Sequence, residues 1–86
     1  MVTKTVLVKN KTGLHARPAS DLVQLAKGFQ CDITLTGPGV QLNPKSIISI
    51  LKAGVGPGTS LELVTEGADE KEASEAIARL IESFEE

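Results

Sequence analysis

The fold of this 86-residue chain is organised around residues 13–28, which read GLHARPASDLVQLAKG. Gly13 permits a sharp turn with positive φ, and Pro18 is tolerated only in the first turn of a helix because it has no N–H to donate. Apolar residues then recur at the spacing of an amphipathic helix: Ala19, Leu22, Val23 and Ala26. Lys27 and Gly28 are typical of a helix end. The stretch therefore predicts a loop that turns into a helix of about three turns.

His15 is the only histidine in the chain, and this pattern places it at or next to the helix N-cap. The amides and dipole of a helix start put partial positive charge there, which should keep the imidazole mostly neutral, with a nucleophilic ring nitrogen. The same field favours an anion attached to that nitrogen, and the Arg17 guanidinium suits phosphate oxygens. The residues predict a site that holds a phosphoryl group on His15. The alternative is an ordinary surface or capping histidine.

Alternation of apolar and polar residues and intervening turns predict four strands, at residues 2–8, 31–36, 40–42 and 59–65. Gly37-Pro38-Gly39 forms the tight turn between the second and third strands, and Val55-Gly56-Pro57-Gly58 forms the turn before the fourth. Cys31 lies on the apolar side of its strand, which favours a small core residue over a nucleophile. The predicted element order is β-α-β-β-α-β-α, with one sheet and all helices on one face.

Two further helices follow from the sequence. Ser46, a preferred N-cap residue, opens a short helix that ends near Gly54. Its four large apolar residues surround most of the helix, so that at least one or two should be exposed as a docking patch, although full burial stays open: Ile47, Ile48, Ile50 and Leu51. Asp69 begins a predicted capping box with Glu72, ahead of a strongly amphipathic final helix.

Composition and charge limit the kinds of function. Hydrophobic residues make up 41% and charged residues 23%, as in an ordinary globular chain, and we expect one domain over residues 1–86. Residues 1–52 hold seven basic and two acidic residues, a net charge of +5. Residues 53–86 hold two basic and nine acidic residues, a net charge of −7. A positive half around His15 would steer acidic partners towards it.

Several other kinds of site are disfavoured. The basic residues form no dense stripe and the chain has only two aromatic residues, so we expect no nucleic-acid partner. We also expect no membrane insertion and a cytoplasmic location, because no apolar run approaches the roughly 20 residues of a membrane span. One histidine, one cysteine and no Walker loop predict no metal site and no cofactor.

Two segments carry a resemblance to a known family. Gly13-Leu14-His15-Ala16-Arg17-Pro18-Ala19 is similar to the active-site signature of HPr, the histidine-containing phosphocarrier protein of the bacterial phosphoenolpyruvate:sugar phosphotransferase system. Asn43-Pro44-Lys45-Ser46-Ile47-Ile48 resembles the family's regulatory-serine region, and the length and element order match throughout. The resemblance implies an α+β open-faced β-sandwich with a four-stranded antiparallel sheet of order 1-4-2-3 and three helices on one face. A ferredoxin-like arrangement is the alternative topology.

The resemblance also implies roles and partners. Enzyme I would place phosphate from phosphoenolpyruvate on His15, Arg17 would hold its charge, and sugar-specific IIA domains would accept it, so the chain would be a carrier and not an enzyme. Ser46 is either a site for HPr kinase/phosphorylase or a simple N-cap. We expect a monomer whose partners contact seven residues: Thr12, Ala16, Ser20, Lys27, Ile47, Ile48 and Leu51. A regulatory paralogue in nitrogen or carbon signalling, or a ligand-binding regulatory domain, are the alternative functions.

Overall fold

The computed structural model describes residues 1–11, 13–14 and 16–84, without the side chain of Ala16. Seven elements follow one another in the predicted order: β1 (Val2–Leu7), α1 (Ala16–Lys27), β2 (Asp32–Gly37), β3 (Val40–Leu42), α2 (Ile47–Ala53), β4 (Ser60–Glu66) and α3 (Glu70–Ser83). The strand ends differ from the predicted ends by one residue. The period-2 and period-3.6 patterns therefore identified the type of every element.

The four strands form one antiparallel sheet in the order β1-β4-β2-β3. β4 pairs with β1 through Val6 and Leu61, and with β2 through Leu35 and Leu63. β2 and β3 form a hairpin around Pro38-Gly39, in which Gly39 takes a φ of 71°. The predicted order is confirmed, and the ferredoxin-like alternative is excluded.

One face of the sheet is covered by helices and the other face is open. α3 packs on β1 and β4, α2 packs on β3, and α1 packs against both of these helices. On the covered face Leu61 and Leu63 are buried, whereas Thr5, Glu62 and Thr36 share a row on the open face and are exposed. This one-sided burial is the predicted open-faced β-sandwich.

The core between sheet and helices is aliphatic. Leu22 of α1 and Ile77 and Ile81 of α3 are completely buried, and Ile50 is the buried residue of α2. Burial of side chains of this size stabilises the fold by about 1.5–3 kcal/mol each. The core therefore fixes α1 and α2 on the same side of the sheet, where the predicted functional residues lie.

The predicted capping box at the start of α3 is wrong. Asp69 does precede the helix, and its carbonyl accepts a bond from Ala73 N, but its side chain makes no capping hydrogen bond. The two carboxylate oxygens accept instead from the backbone N–H groups of Gln30 and Cys31, both at 2.9 Å. Two donors from a distant segment occupy the carboxylate, and the capping-box pattern contains no information about them.

The end of α1 is where the sequence predicts it, at Lys27, but the glycine acts differently. Gly28 is absent from the glycines with positive φ among the described residues. The chain instead leaves the helix through two short-range bonds, from Gly28 N to the Leu25 carbonyl at 3.1 Å and from Phe29 N to the Ala26 carbonyl at 3.2 Å. These bonds tighten the last turn and satisfy the terminal carbonyls without a left-handed residue.

Candidate functional site

Arg17, one of the two predicted phosphate-holding residues, lies at the start of α1. The helix begins at Ala16, which directly follows His15 in the chain; His15 itself lies outside the described residues, as does Thr12. Arg17 is the second residue of the helix and is exposed, and Pro18 is its buried third residue. Pro18 is thus confined to the first turn, as predicted.

The start of α1 is suited to an anion. Helix geometry directs the N–H groups of Ala16 and Arg17 out of the N-terminal end of the helix. Pro18 contributes no N–H, but its fixed φ favours the first turn. A helix of 12 residues also presents partial positive charge at this end. A group attached to residue 15 would therefore experience a favourable field if it carried negative charge.

The loop before α1 rests on the loop between α2 and β4. Leu14 N donates to the Val55 carbonyl at 3.0 Å, and both residues are buried. Gly13 has a φ of 64°, and a Cβ at that position would lie 2.2 Å from the Val55 carbonyl oxygen and 2.8 Å from the Gly56 Cα. The two backbones are therefore in direct contact, and residue 13 has to be glycine for two reasons, its φ and the space available.

Further hydrogen bonds close both loops. The buried Asn10 donates from Nδ2 to the Gly13 carbonyl at 2.7 Å, and Gly13 N donates back to the Asn10 carbonyl at 3.2 Å. Val8 exchanges backbone bonds with Gly58 and Thr59, and the Thr59 hydroxyl donates to the Gly56 carbonyl at 2.8 Å. In the segment before His15, hydrogen bonds therefore hold Val8, Asn10, Gly13 and Leu14.

Ser46 is the N-cap of α2, as predicted. Its backbone is extended, and its hydroxyl oxygen accepts from Ser49 N at 3.3 Å. The helix has seven residues and is followed by its C-cap Gly54, which is left-handed with a φ of 61°. Gly54 leads directly into Val55, so α2 is continuous in the chain with the loop that supports residues 13 and 14.

Three of the four large apolar residues of α2 are exposed, and Ile50 is completely buried. The exposed fractions are 39% for Ile47, 67% for Ile48 and 45% for Leu51. The prediction that at least one or two would be exposed is confirmed, and the alternative of full burial is excluded. We call Ile47, Ile48 and Leu51 the α2 patch.

α1 packs against α2 and brings polar residues to the same region. Ser20 is half-buried and Lys27 is exposed, and their spacing of seven residues places them on one stripe of the helix. Ala16 belongs to the described helix, but its side chain does not belong to the described atoms. Of the seven predicted partner-binding residues, the structure thus describes the side chains of five, on two helices in contact.

Cys31 and Lys45 contribute to the fold through burial and through backbone hydrogen bonds. Cys31 is 2% exposed, and its burial, reinforced by the neighbouring Asp69 carboxylate, raises the pKa of the thiol. The Lys45 ammonium donates to the carbonyls of Phe29 and Cys31 at 2.9 and 2.8 Å. The positive charge of Lys45 is therefore used within the fold, whereas Lys27 and Lys52 are exposed.

Neither a metal-binding cluster nor a membrane-spanning helix is present among the described residues. No group of three or more His, Cys, Asp or Glu side chains in residues 1–11, 13–14 and 16–84 could hold a metal ion. Among the same residues, no helix has the length and apolar character needed to span a bilayer.

Comparison with known proteins gives the family. The family model for the PTS HPr component phosphorylation site matches residues 2–83. The chain is 47% identical over 87 residues to the phosphocarrier protein HPr of Treponema pallidum (strain Nichols), with 100% of this chain and 99% of that protein covered. It is 46% identical over 82 residues to the HPr-like protein Crh of Halalkalibacterium halodurans, with 95% and 98% covered. These matches define the class of the chain, the HPr phosphocarrier family of the phosphotransferase system.

A solved structure supports the same assignment. HPr-C-His from Thermoanaerobacter tengcongensis superimposes with a TM-score of 0.91 at 46% identity, with 96% of this chain and 93% of that chain covered. The chain belongs to the HPr family.

The expectation of a monomer is not supported by the relatives. The similar solved structures include an HPr dimer from Thermoanaerobacter tengcongensis, at 46% identity, and a dimer of Crh from Bacillus subtilis, at 41% identity. Composition and helix patterns contain no information about whether two copies associate, because this depends on how the folded surfaces fit one another.

Sequence reasoning missed the contribution of the α2–β4 loop to this site. Residues 55–58 were interpreted as a plain turn because Gly and Pro are the usual turn residues. The only available signal was the run of three glycines at positions 54, 56 and 58, which is consistent with close approach of another backbone. The contact between Gly13 and Val55 forms only when the 41 residues between them have folded.

Proposed function

We propose that this chain is a phosphocarrier that accepts a phosphoryl group on His15 from Enzyme I and passes it to sugar-specific IIA domains. The observation that carries the proposal is the start of α1 at Ala16, with Arg17 exposed in the first turn, immediately after the histidine. Membership of the HPr family supports it. The chain has no turnover of its own on this proposal, because each transfer needs an enzyme or acceptor domain as the second reactant.

The proposed roles follow from the chemistry of each group. The imidazole nitrogen of His15 attacks phosphorus, and the bond to the donor breaks as the new P–N bond forms. The helix start and the Arg17 guanidinium stabilise the negative charge of the phosphoryl group. A carrier of this kind must not promote attack by water, since the phosphohistidine must survive until an acceptor arrives.

The α2 patch is the proposed docking surface, together with Thr12, Ala16, Ser20 and Lys27. Exposed Ile and Leu side chains become buried when a partner binds, which supplies apolar binding energy. The exposed cations of the two helices, Arg17, Lys27 and Lys52, favour an acidic partner. These properties fit Enzyme I and IIA domains that carry complementary acidic rims.

The experiment that tests the proposal is incubation of the protein with phosphoenolpyruvate and Enzyme I. We expect one phosphate per chain, labile in acid and stable in base, as a phosphoramidate bond to histidine requires. His15→Ala should abolish the modification while the far-UV CD spectrum and the urea midpoint remain those of a folded protein. A wild-type chain that takes up no phosphate, or an alanine variant that still does, contradicts the proposal.

A regulatory carrier is the second candidate, because the HPr-like protein Crh is 46% identical to this chain. In this case Ser46 would be the relevant site of modification, by an ATP-dependent HPr kinase/phosphorylase. The two candidates separate in one assay, in which phosphate on the chain is either passed to a IIA domain or retained on serine. Retention on Ser46, with no transfer from residue 15, would favour the regulatory function.

A further inference from the structure

The α2–β4 loop is in direct contact with residues 13 and 14, which precede His15 in the chain. Leu14, the residue before His15, donates its N–H to the Val55 carbonyl at 3.0 Å. The space that a side chain on residue 13 would occupy is filled by backbone atoms of Val55 and Gly56. Both contacts involve main-chain atoms, so neither can adjust by changing a rotamer.

Further contacts hold the α2–β4 loop in place on both sides of Val55. The Thr59 hydroxyl donates to the Gly56 carbonyl at 2.8 Å, which holds the loop in the shape that presents the Val55 carbonyl. At the other end, Gly54 is the left-handed end of α2, whose Ile50 is completely buried. The support under residues 13 and 14 is therefore anchored in the core, and a small displacement of it has to move the chain leading into His15.

We propose that Val55 and Gly56 form a positioning element of the phosphoacceptor site, holding residues 13 and 14 so that His15 faces its donor. The inference rests on the proposed function, in which His15 is the acceptor. Phosphoryl transfer requires the attacking nitrogen, the phosphorus and the leaving group to be in line, and a displacement of about 1 Å can reduce the rate about 100-fold. Val55 and Gly56 need not touch the phosphoryl group to exert this control.

The test compares two glycine-to-alanine substitutions. Gly13 and Gly39 have φ values of 64° and 71°, so alanine is strained at both positions. A Cβ on Gly13 collides with the Val55 and Gly56 backbone, whereas a Cβ on Gly39 meets nothing within 4 Å. Gly39→Ala is therefore the matched control, because it introduces the backbone strain without separating the loops.

We expect Gly13→Ala to lower the turnover rate with Enzyme I at saturating protein concentration by at least about tenfold, and Gly39→Ala to change it by less than about twofold. The second readout is the NMR pH titration of the single imidazole, which should shift in Gly13→Ala only. A folded Gly13→Ala protein with wild-type turnover and titration overturns the inference.

If Gly13→Ala does not fold, the Thr59→Val variant tests the positioning role instead. It removes the bond to the Gly56 carbonyl and keeps the shape of the side chain, so a several-fold loss of turnover with a shifted imidazole titration is expected. Wild-type behaviour of Thr59→Val would overturn the inference. Failure of the wild-type chain to accept phosphate refutes the proposed function instead, and the imidazole titrations of the same variants then decide the positioning role.

Discussion

Asp69 and Lys45 hold the same tripeptide, Phe29-Gln30-Cys31, through opposite kinds of backbone group. The Asp69 carboxylate accepts from the N–H groups of Gln30 and Cys31, and the Lys45 ammonium donates to the carbonyls of Phe29 and Cys31. These are charge-assisted bonds from two segments that lie 24 residues apart in the chain. Together they fix the connection between α1 and β2, and hence the end of the helix that begins beside His15.

Asp69→Asn should destabilise the protein in a pH-dependent way. The bond from Gln30 N, together with the other bonds from the tripeptide, lowers the pKa of the Asp69 carboxyl. A carboxyl with a lowered folded-state pKa stabilises the protein above its unfolded pKa of about 3.9, and this contribution disappears as the pH falls through the folded-state pKa. Urea denaturation of wild type and variant should therefore differ at pH 7 and converge in acid.

Asp32→Asn is the control for this experiment, because Asp32 is an exposed aspartate of the open sheet face. It should leave the urea midpoint nearly unchanged at both pH values. An Asp69→Asn protein that is as stable as wild type at pH 7 would show that the two bonds contribute nothing.

Ser46 allows its structural and regulatory roles to be separated. Ser46→Ala removes the cap bond to Ser49 N and should lower the free energy of unfolding by about 1 kcal/mol. Ser46→Asp keeps a good capping residue, so it should retain most of the stability, but its negative charge should repel an acidic Enzyme I and slow phosphoryl transfer. The measurements are urea unfolding and the initial transfer rate.

We expect the two Ser46 variants to rank differently in stability and in transfer rate. Ser46→Ala should have the lowest free energy of unfolding, and Ser46→Asp should have the lowest initial transfer rate. A single common order in both measurements would mean that slow transfer reflects loss of the helix cap alone.

The α2 patch should control affinity for Enzyme I. In the double variant Ile48→Ala/Leu51→Ala, part of the exposed apolar surface is removed from side chains that are not needed in the core. Loss of about 1.4 kcal/mol of apolar burial in the complex corresponds to a KM about tenfold higher, with little change in kcat. Steady-state kinetics with Enzyme I measures both constants.

Leu7→Ala provides the comparison, since Leu7 is 38% exposed and lies on the open sheet face, in the edge strand opposite to β3, on which α2 packs. Its KM should remain close to that of wild type. Equal effects from Leu7→Ala and the double variant would rule out the α2 patch as the specific docking surface.

Arg17→Glu should slow acceptance of phosphate at least about 100-fold, because a charge that stabilises the phosphoryl group is replaced by one that repels it. Arg17→Lys should have an intermediate rate, since it keeps the charge and loses the planar fork. Arg79→Glu, the same charge reversal at an exposed position of α3, should change the rate by less than about twofold. Single-turnover transfer from phosphorylated Enzyme I distinguishes these variants, and wild-type rates for Arg17→Glu would refute the assigned role.

The family resemblance implies the strand order, whereas local sequence patterns determine the element types, the start of α1 and the Ser46 cap. Each depends on residues within about one or two helical turns of one another, so that period, caps and turn residues suffice. For the α2 patch the sequence favours partial exposure, because a two-turn helix with apolar residues around most of its circumference is difficult to bury completely, but the structure decides between exposure and full burial.

The tertiary structure alone decided which groups meet across the chain. The Asp69 carboxylate accepts from Gln30 and Cys31 N–H groups and makes no capping bond to α3. The Lys45 ammonium donates to the carbonyls of Phe29 and Cys31. The Val55 carbonyl accepts from the N–H of Leu14, 41 positions earlier in the chain. Polar groups buried on folding take whichever partner lies within hydrogen-bond distance, and that distance is set by the packing of all the elements together. A one-dimensional pattern contains no information about such distances.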